Sequence, residues 1–280
     1  MDTQTRYRAA AIAFGLQLFT LALPAHAQTP GPTPEWHFSE GHLLDAYTKD
    51  ELPKWDRVLG IATQTAPKYE GGNAYATSFG PTFDIRYRDI AFASAGEGFG
   101  VNLLHDKTYR AGVALAYDLG RNNSDDHHVG ELGNYSISPE AKIFAEYLLF
   151  PVTFRIDLRH SFGGQGGYIG DISFYSPVAG KDGKYFVFAG PSMTFADANN
   201  LGHTFGVSTA QSAKSGYPTH YLGSGVRSYS FGVSGGYFFT KHWLFEGFVS
   251  GEQLVGGAGT ASFVQQRGQL NLQLTTAYRW

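Results

Sequence analysis

The chain contains no cysteine and only two methionines, so no disulfide can form and the fold depends on packing and hydrogen bonds alone. Beyond the N-terminal segment, it has no apolar run approaching the ~20 residues that a membrane-spanning helix needs. Charge is sparse, with a net value of −3 and no cluster of basic residues. These absences exclude a bundle of membrane-spanning helices and argue against nucleic-acid binding, which requires a basic surface to contact phosphates.

The N-terminal segment has the pattern of a secretory signal peptide. Arg6 and Arg8 supply a positive charge, residues 9–23 are mostly apolar, and an Ala-His-Ala cleavage site ends at Ala27. An uncleaved membrane anchor is the alternative, but the apolar run is shorter than the ~20 residues that span a bilayer. We therefore expect residues 1–27 to be a signal peptide and the mature protein to be exported.

Alternation of apolar and polar residues dominates the chain from Trp55 onward. In residues 270–280 the even positions are leucine, threonine, tyrosine and tryptophan, whereas the odd positions are mostly polar. Period-two alternation puts these two sets on opposite faces of a β-strand. A segment of about ten residues with one apolar, aromatic-ended face is typical of a transmembrane barrel. Its last residue, Trp280, also resembles the C-terminal signature of outer-membrane proteins.

Five further segments share this pattern, and their apolar faces are expected to contact lipid. The predicted outward residues are Phe79, Pro81, Phe83, Ile85 and Tyr87; Tyr109, Ala111, Val113, Leu115 and Tyr117; Ile143, Ala145 and Tyr147; Val152, Phe154, Ile156 and Leu158; and Tyr229, Phe231, Val233, Tyr237 and Phe239. A soluble β-sandwich also alternates. However, aromatic residues near the strand ends and small apolar residues between them fit a lipid band with aromatic rims.

The opposite faces carry charges of both signs, which we expect to pair across a narrow lumen and largely fill it. The predicted inward residues include Thr82, Asp84, Arg86, Arg88, Arg110, Asp118, Glu140, Lys142, Glu146, Arg155, Asp157, Arg159, Ser228, Ser230 and Ser234. A wide diffusion pore would need more strands than this chain supplies.

The predicted fold is all-β: a transmembrane antiparallel up-and-down β-barrel over residues 55–280, located in the outer membrane and in contact with its lipid. We expect about twelve strands, with ten as the alternative. Residues 90–104 are compatible with one bent strand or two short ones, and residues 205–208 with a strand or part of an external loop. Residues 240–241 are predicted to form a periplasmic turn, and residues 122–135 and 255–267 to form external loops.

Residues 28–54 differ from the barrel in composition. They contain Pro30, Pro32, Pro34 and Pro53 around a predicted short helix at residues 39–47. We expect this segment to be a periplasmic leader or a plug for the lumen.

Four motifs suggest chemistry, and each has a simpler interpretation. The Gly-x-Ser-x-Gly pattern at residues 232–236 indicates a hydrolase only at a strand-to-helix turn, but here it lies within an alternating strand. The Asp-Asp-His-His sequence at residues 125–128 is expected to be a solvated loop, because adjacent histidines point apart on an extended chain. His160 and Ser161 are adjacent in a predicted strand and therefore face opposite sides. The glycine-rich residues 163–167 lack the lysine and helix of a phosphate loop. We predict no catalytic, cofactor-binding or metal site, and no enzyme activity.

Several short sequences resemble the MltA-interacting protein (MipA)/OmpV family of outer-membrane proteins. They are the Pro-Lys-Tyr-Glu-Gly sequence at residues 67–71, residues 98–104, residues 205–216 and the His-Trp pair at residues 242–243. The block at residues 205–216 is the most specific. The chain departs from the family pattern after Leu254, where an acidic residue is expected after the glycine, and at Phe263, where proline is expected.

The resemblance implies a scaffold rather than an enzyme. The family's namesake links a lytic transglycosylase to a penicillin-binding murein synthase, so both enzymes are expected partners. Other members are described as porin-like or adhesive, which leaves a narrow channel for small solutes and a surface adhesin as alternatives. None of these roles maps onto a named site residue.

Overall fold

A computed structural model describes residues 51–163, 166–181 and 184–280 of the chain. The predicted signal peptide and residues 28–50 of the predicted leader lie outside these residues. Twelve strands run through the described part of the chain: β1 (Asp56–Pro67), β2 (Tyr75–Tyr87), β3 (Ala91–Ser94), β4 (Gly98–His105), β5 (Tyr109–Asp118), β6 (Ser138–Leu149), β7 (Val152–Ser161), β8 (Tyr168–Lys181), β9 (Tyr185–Ala196), β10 (Gly225–Phe238), β11 (Trp243–Leu254) and β12 (Gly268–Arg279).

The strands form a closed antiparallel barrel in which each pairs with its neighbours in sequence. β12 returns to β1 and pairs with it from Val58 opposite Arg279 to Thr65 opposite Leu272. Closure satisfies the backbone donors and acceptors that an open sheet edge would leave exposed to lipid. The predicted twelve-stranded up-and-down barrel is confirmed, and the alternative of ten strands is wrong.

Residues 90–104 form two short strands rather than one bent strand. β3 pairs with β2 only from Asp84 to Tyr87, so the β3–β4 hairpin is much shorter than its neighbours. The turn between β3 and β4 ends at Gly98, whose φ of +86° suits glycine. A Cβ there would lie 2.2 Å from the carbonyl oxygen of Leu115. Pro81 lies in the part of β2 that has no partner on the β3 side, where a missing N–H is tolerated.

Inward and outward positions follow the predicted parity along the strands. In β7, for example, Thr153, Arg155 and Asp157 are buried, while Ile156 and Leu158 are exposed to the surroundings of the barrel. The outer surface is a continuous apolar band of this kind, as an outer-membrane barrel requires. The prediction that Arg88 faces inward is wrong. This residue lies after the end of β2, in a turn with φ +50°, and its side chain is exposed.

The two ends of the barrel differ in the length of their connections. Turns such as residues 88–90, 106–108 and 239–242 lie at the end where β1 begins and β12 finishes. Long loops, above all residues 119–137, 197–224 and 255–267, lie at the opposite end. Outer-membrane barrels have short periplasmic turns and longer external loops, which orients the chain. The predicted periplasmic turn at residues 240–241 and the external connections at residues 122–135 and 255–267 therefore fall where they were expected.

The external loops contain short helices that the alternation pattern did not predict. They are α1 (Ala198–Phe205), α2 (Thr209–Ser215) and the single turn α3 (Gly256–Gly259). Ser208 and Gln211 form a reciprocal capping box at the start of α2, and Gly216 ends it with φ +75°. Residues 205–208 therefore belong to an external loop, where Val207 makes a single bridge with His220. In the described part of the chain, no helix has the length and hydropathy that a membrane crossing requires.

We predict that deleting residues 278–280 prevents stable assembly of the barrel. Tyr278 and Arg279 pair with Leu59 and Val58, and the backbone N–H of Trp280 donates to the carbonyl of Arg57. The deletion also removes the guanidinium of Arg279, which contacts both carboxylate oxygens of Asp56 at 2.6 and 2.8 Å. The measurement is heat-modifiable migration of membrane fractions on a gel. Trp280→Phe is the control and should migrate normally. A heat-modifiable deletion variant would contradict the closing role of these residues.

Candidate functional site

The lumen contains a network of charged side chains, centred on Arg155 of β7. Its Nη1 lies 2.7 Å from Glu146 Oε1 on β6 and 3.4 Å from Glu97 Oε1. The Tyr175 hydroxyl of β8 donates to the same Glu146 oxygen at 3.0 Å. The Arg155 side chain is 1% exposed, and its guanidinium also packs over the ring of Phe144.

Glu97 carries this network across the barrel. It lies at the tip of the short β3–β4 hairpin and is bound by Arg86 from β2 as well as by Arg155 from β7. Lys142 of β6 donates to the Glu97 carbonyl oxygen at 3.0 Å. Because β2 and β7 lie nearly opposite each other in a closed ring of twelve strands, the Arg86–Glu97–Arg155 chain spans the lumen. We call these residues, with Lys142 and Glu146, the lumen bridge.

A second group of ion pairs continues from the lumen bridge toward the external end. Arg159 Nε lies 3.4 Å from Asp157 Oδ1, and its Nη2 contacts Asp171 of β8. The hydroxyl of Thr194 on β9 donates to Asp171 at 2.6 Å. The sequence prediction that inner charges of opposite sign pair within the lumen is therefore correct for this half of the barrel.

Because these charged side chains are buried, each of them needs a partner of opposite charge. Removing a charge from water costs several kcal/mol, which is offset only where partners and hydrogen bonds are well placed. Such a network therefore contributes little net stability, but losing one member leaves the others uncompensated. Chemically, the lumen bridge holds acids and bases in mutually neutralising pairs that join the two walls of the lumen.

The inner wall formed by β12, β1 and β2 is different. Its charged inward residues, Asp56, Asp84, Arg86 and Arg279, lie toward the periplasmic end. The other inward residues are small or neutral, and several stay half-buried, among them Ala62, Gln64, Ser78 and Gln273. Solvent therefore reaches this side of the lumen beside the lumen bridge. Away from the periplasmic end, the lumen is therefore asymmetric, with charge pairs on one wall and small or neutral residues on the other.

A hydrophobic cluster covers the external end of the barrel, and we call it the external cap. Residues from four external connections and adjoining strand ends meet in it: Tyr69, Val129, Leu132, Ile169, Ala196, Leu201, Phe205, Val207, Leu254, Ala258, Ala261 and Phe263. Phe263 is 1% exposed and stacks on Phe205, with ring centroids 6.5 Å apart. Tyr69 and Tyr217 pack on the same ring at 6.3 and 6.4 Å. The residue at which the chain departs from the family pattern is therefore central to the cap.

Polar contacts attach the external cap to the barrel wall. Arg227 of β10 pairs with Glu70 and lies over the ring of Phe205. Arg121 donates to the Thr204 carbonyl oxygen at 3.0 Å. The Tyr69 hydroxyl donates to the Phe263 carbonyl oxygen at 3.1 Å, and burial raises the pKa of this hydroxyl well above its ordinary value. Tyr69, Glu70 and Phe205 all belong to the sequences that carry the family resemblance.

Neither the Gly-x-Ser-x-Gly motif nor the His160–Ser161 pair forms a catalytic arrangement among the described residues. Ser234 is buried inside β10, which continues as a strand and leads to β11, not to a helix. His160 is half-buried and its Nδ1 lies 3.0 Å from the Gly167 carbonyl oxygen, whereas Ser161 is buried on the opposite face of β7. These two residues do not form a nucleophile–base pair.

Residues 126–128 lie in a loop, as expected, but the prediction that His127 and His128 point apart is wrong. The chain turns at Asp126, with Val129 N–H donating to its carbonyl oxygen at 3.2 Å, so His127 and His128 do not point apart. Their ring centroids lie 3.8 Å from each other. Burial opposes ionisation of Asp126, but hydrogen bonds from the backbone and imidazole of His128 outweigh it and lower the pKa of this carboxyl.

Sequence reasoning did not identify Glu97, Asp171, Tyr175 or the Glu70–Arg227 pair. Glu97 does carry a signal, because a carboxylate between Gly96 and Gly98 marks a tight turn with a charged tip. That turn enters the lumen only because its hairpin is too short to reach the external rim. Such a placement depends on strand lengths that the alternation pattern does not define.

We predict that Glu97→Ala lowers the free energy of unfolding by about 3–5 kcal/mol, since it leaves two buried guanidinium groups without their shared carboxylate. The measurement is urea unfolding of the barrel in detergent or vesicles. Glu131→Ala is the matched control, because Glu131 is exposed in an external loop and its loss should change stability by less than about 0.5 kcal/mol. Equal stability of Glu97→Ala and wild type would show that the lumen bridge is not obligatory.

Comparison with solved structures returns outer-membrane channels of low similarity. They include the CymD monoaromatic hydrocarbon channel (TM-score 0.42, 9% identity, 91% of this chain and 94% of that one) and the KdgM porin (TM-score 0.38, 7% identity, 80% and 99%). OprD of Pseudomonas aeruginosa gives a TM-score of 0.34 at 14% identity, over 82% of this chain and 67% of that one. These scores are too low to support any argument about transport.

A comparison with curated proteins finds no match. A sequence profile of the family described as MltA-interacting protein MipA matches residues 59–280, which include nearly all of the barrel and its external loops. The chain therefore belongs to the MltA-interacting protein MipA family.

Proposed function

We propose that this protein is a non-conducting outer-membrane anchor whose periplasmic face holds murein-remodelling enzymes, namely a lytic transglycosylase and a penicillin-binding murein synthase. The observation that carries the proposal is the lumen bridge, in which Arg86, Glu97 and Arg155 join opposite walls of the barrel while almost fully buried. A barrel crossed by paired charges and covered by a hydrophobic cap is poorly suited to carrying solutes. It suits a role at its surface.

The charge of the periplasmic face supports this proposal. Exposed basic side chains lie in the periplasmic turns or just before β1, and we call them the basic rim: Lys54, Arg88, Lys107, Lys184 and Lys241. The exposed acids described at this end are Glu51 and Asp106. The basic rim stands out because the whole chain has a net charge of −3. Complementary charge steers association and orients a partner, so an acidic surface on the bound enzyme is expected.

The name of the family also supports a periplasmic partner, since MltA-interacting protein MipA is described by an interaction with another protein. The predicted leader, residues 28–54, would enter the periplasm beside the basic rim, because β1 begins at the periplasmic end. Both features direct the proposed interaction to the same face of the barrel.

We predict that the purified full-length barrel captures a lytic transglycosylase from periplasmic extract, and that reversing the basic rim reduces the captured amount at least several-fold. The variant is Arg88→Glu/Lys107→Glu/Lys241→Glu. The control is Lys214→Glu/Arg267→Glu, which changes exposed cations of the external loops and should capture as well as wild type. Recovery is quantified by mass spectrometry of the eluate at low salt.

Failure of wild type to recover any murein enzyme would overturn the scaffold function. Equal recovery by wild type and the triple variant would instead overturn the contribution of the basic rim. Heat-modifiable migration of each variant shows that the barrels used for capture are folded.

A narrow channel for small solutes is the second candidate, and the neutral inner wall of β12, β1 and β2 favours it. We predict that the wild-type barrel is silent in planar bilayers because the lumen bridge and the external cap close the path. Arg155→Ala should produce no stable openings, since the cap remains in place. Stable wild-type openings that change with Gln64→Ala would favour the channel, because Gln64 lies on the neutral wall and outside the lumen bridge.

A further inference from the structure

Asp126, His127 and His128 bring three potential metal ligands together in the external loop between β5 and β6. One ligand atom from each residue lies within 4.8 Å of the other two. His128 Nδ1 is 2.7 Å and His127 Nδ1 is 3.5 Å from the same oxygen, Asp126 Oδ1. Ligand atoms about 2.0–2.1 Å from a tetrahedral ion lie roughly 3.3 Å from one another. Small rotations of two imidazoles therefore suffice to place all three atoms around one ion.

The local backbone holds this arrangement. The short helical turn at Asn123–Asp125 is capped by the side chain of Asn122, and the chain then turns through residues 126–130. The backbone N–H of His128 donates to the Asp126 carboxylate at 3.0 Å, which keeps the carboxylate beside both rings. Val129 follows directly and is fully buried in the external cap. The cluster is thus anchored at one end by a hydrophobic contact and at the other by a capped turn.

A residue of a neighbouring loop makes a hydrogen bond to the ring nitrogen of His128 that faces away from Asp126. Gln265, in the loop between β11 and β12, has its Nε2 2.9 Å from His128 Nε2. Gln265 Oε1 lies 3.1 Å from the Tyr69 hydroxyl, which shares its one proton between this oxygen and the Phe263 carbonyl oxygen. An ion on His128 Nδ1 requires Nε2 to carry the proton. Rotating the Gln265 amide by half a turn then gives Nε2–H an oxygen acceptor, while Tyr69 still donates to the Phe263 carbonyl.

We propose that Asp126, His127 and His128 form a binding site for a borderline divalent transition-metal ion, Zn²⁺ in the first instance. Two imidazoles and one carboxylate are the donors that Zn²⁺ takes, and three protein ligands leave a further position for solvent. The chain has no cysteine, so no thiolate competes for the ion. The His127 side chain is 85% exposed, which opens the site to the external medium. By fixing the His128 ring, a bound ion would also stabilise its contact with Gln265, which joins the β5–β6 loop to the external cap.

The experiment is a zinc titration of the metal-free full-length barrel in detergent. Binding is measured by calorimetry and by competition with a zinc-sensitive dye. We expect one saturable site. His127→Ala and His128→Ala should each weaken binding at least about tenfold, the lower end of the effect seen when residues behind a metal ligand are removed. The matched control is His105→Ala, which removes an exposed histidine 3.7 Å from Asp89 in a site with only one imidazole. It should bind zinc as wild type does.

Gln265 gives a separate test of the arrangement. Gln265→Glu should tighten zinc binding, because a carboxylate accepts the Nε2 proton of His128 more strongly than an amide does. Gln265→Ala should weaken it. Absence of saturable binding in the micromolar range would overturn the proposal, as would unchanged affinity in the His127→Ala/His128→Ala double variant. The scaffold function does not depend on either result, since the site lies on the external side.

Discussion

The absence of water in the bilayer is the constraint on which this structure depends. Every backbone N–H and C=O within the membrane has to find a partner in the protein, and an exposed sheet edge does not. Pairing of β12 with β1 removes the exposed edges of the first and last strands, and it places an apolar surface toward lipid and a polar surface toward the lumen. The polar surface is thereby confined to a narrow space, where its charges have few partners except one another.

Charge pairing in the lumen follows from that confinement. Arg86, Glu97 and Arg155 lie on separate elements, and each is almost completely removed from solvent. Their mutual neutralisation adds little net stability, but losing one partner is costly because the remaining charges stay buried without compensation. The external cap is a separate feature, made of apolar side chains from loops that lie far apart in sequence.

The two ends of the barrel consequently have different properties. The external end is a compact structure in which loops are packed together and carry the Asp126–His128 cluster. The periplasmic end has short turns with exposed cations beside an aromatic girdle that includes Trp243, Tyr278 and Trp280. The protein thus presents two different surfaces to its surroundings, one at each end of the barrel.

The sequence by itself determined the barrel, its strand number to within two, the parity of nearly every named inward or outward residue and the position of the long external loops. Alternation suffices for this because side-chain direction in a strand depends only on position along the chain. The same rule fails at turns, as Arg88 and the pair His127 and His128 illustrate, because there the backbone no longer alternates.

Only the tertiary structure decided which residues that are distant in sequence meet. Glu97 reaches Arg155 across 58 positions, and Tyr69 reaches Phe263 across 194. These contacts depend on the length of one short hairpin and on the way four external connections fold over the barrel. Strand periodicity carries no information about either feature, because both are set by closure of the barrel and by packing between segments that are distant in sequence.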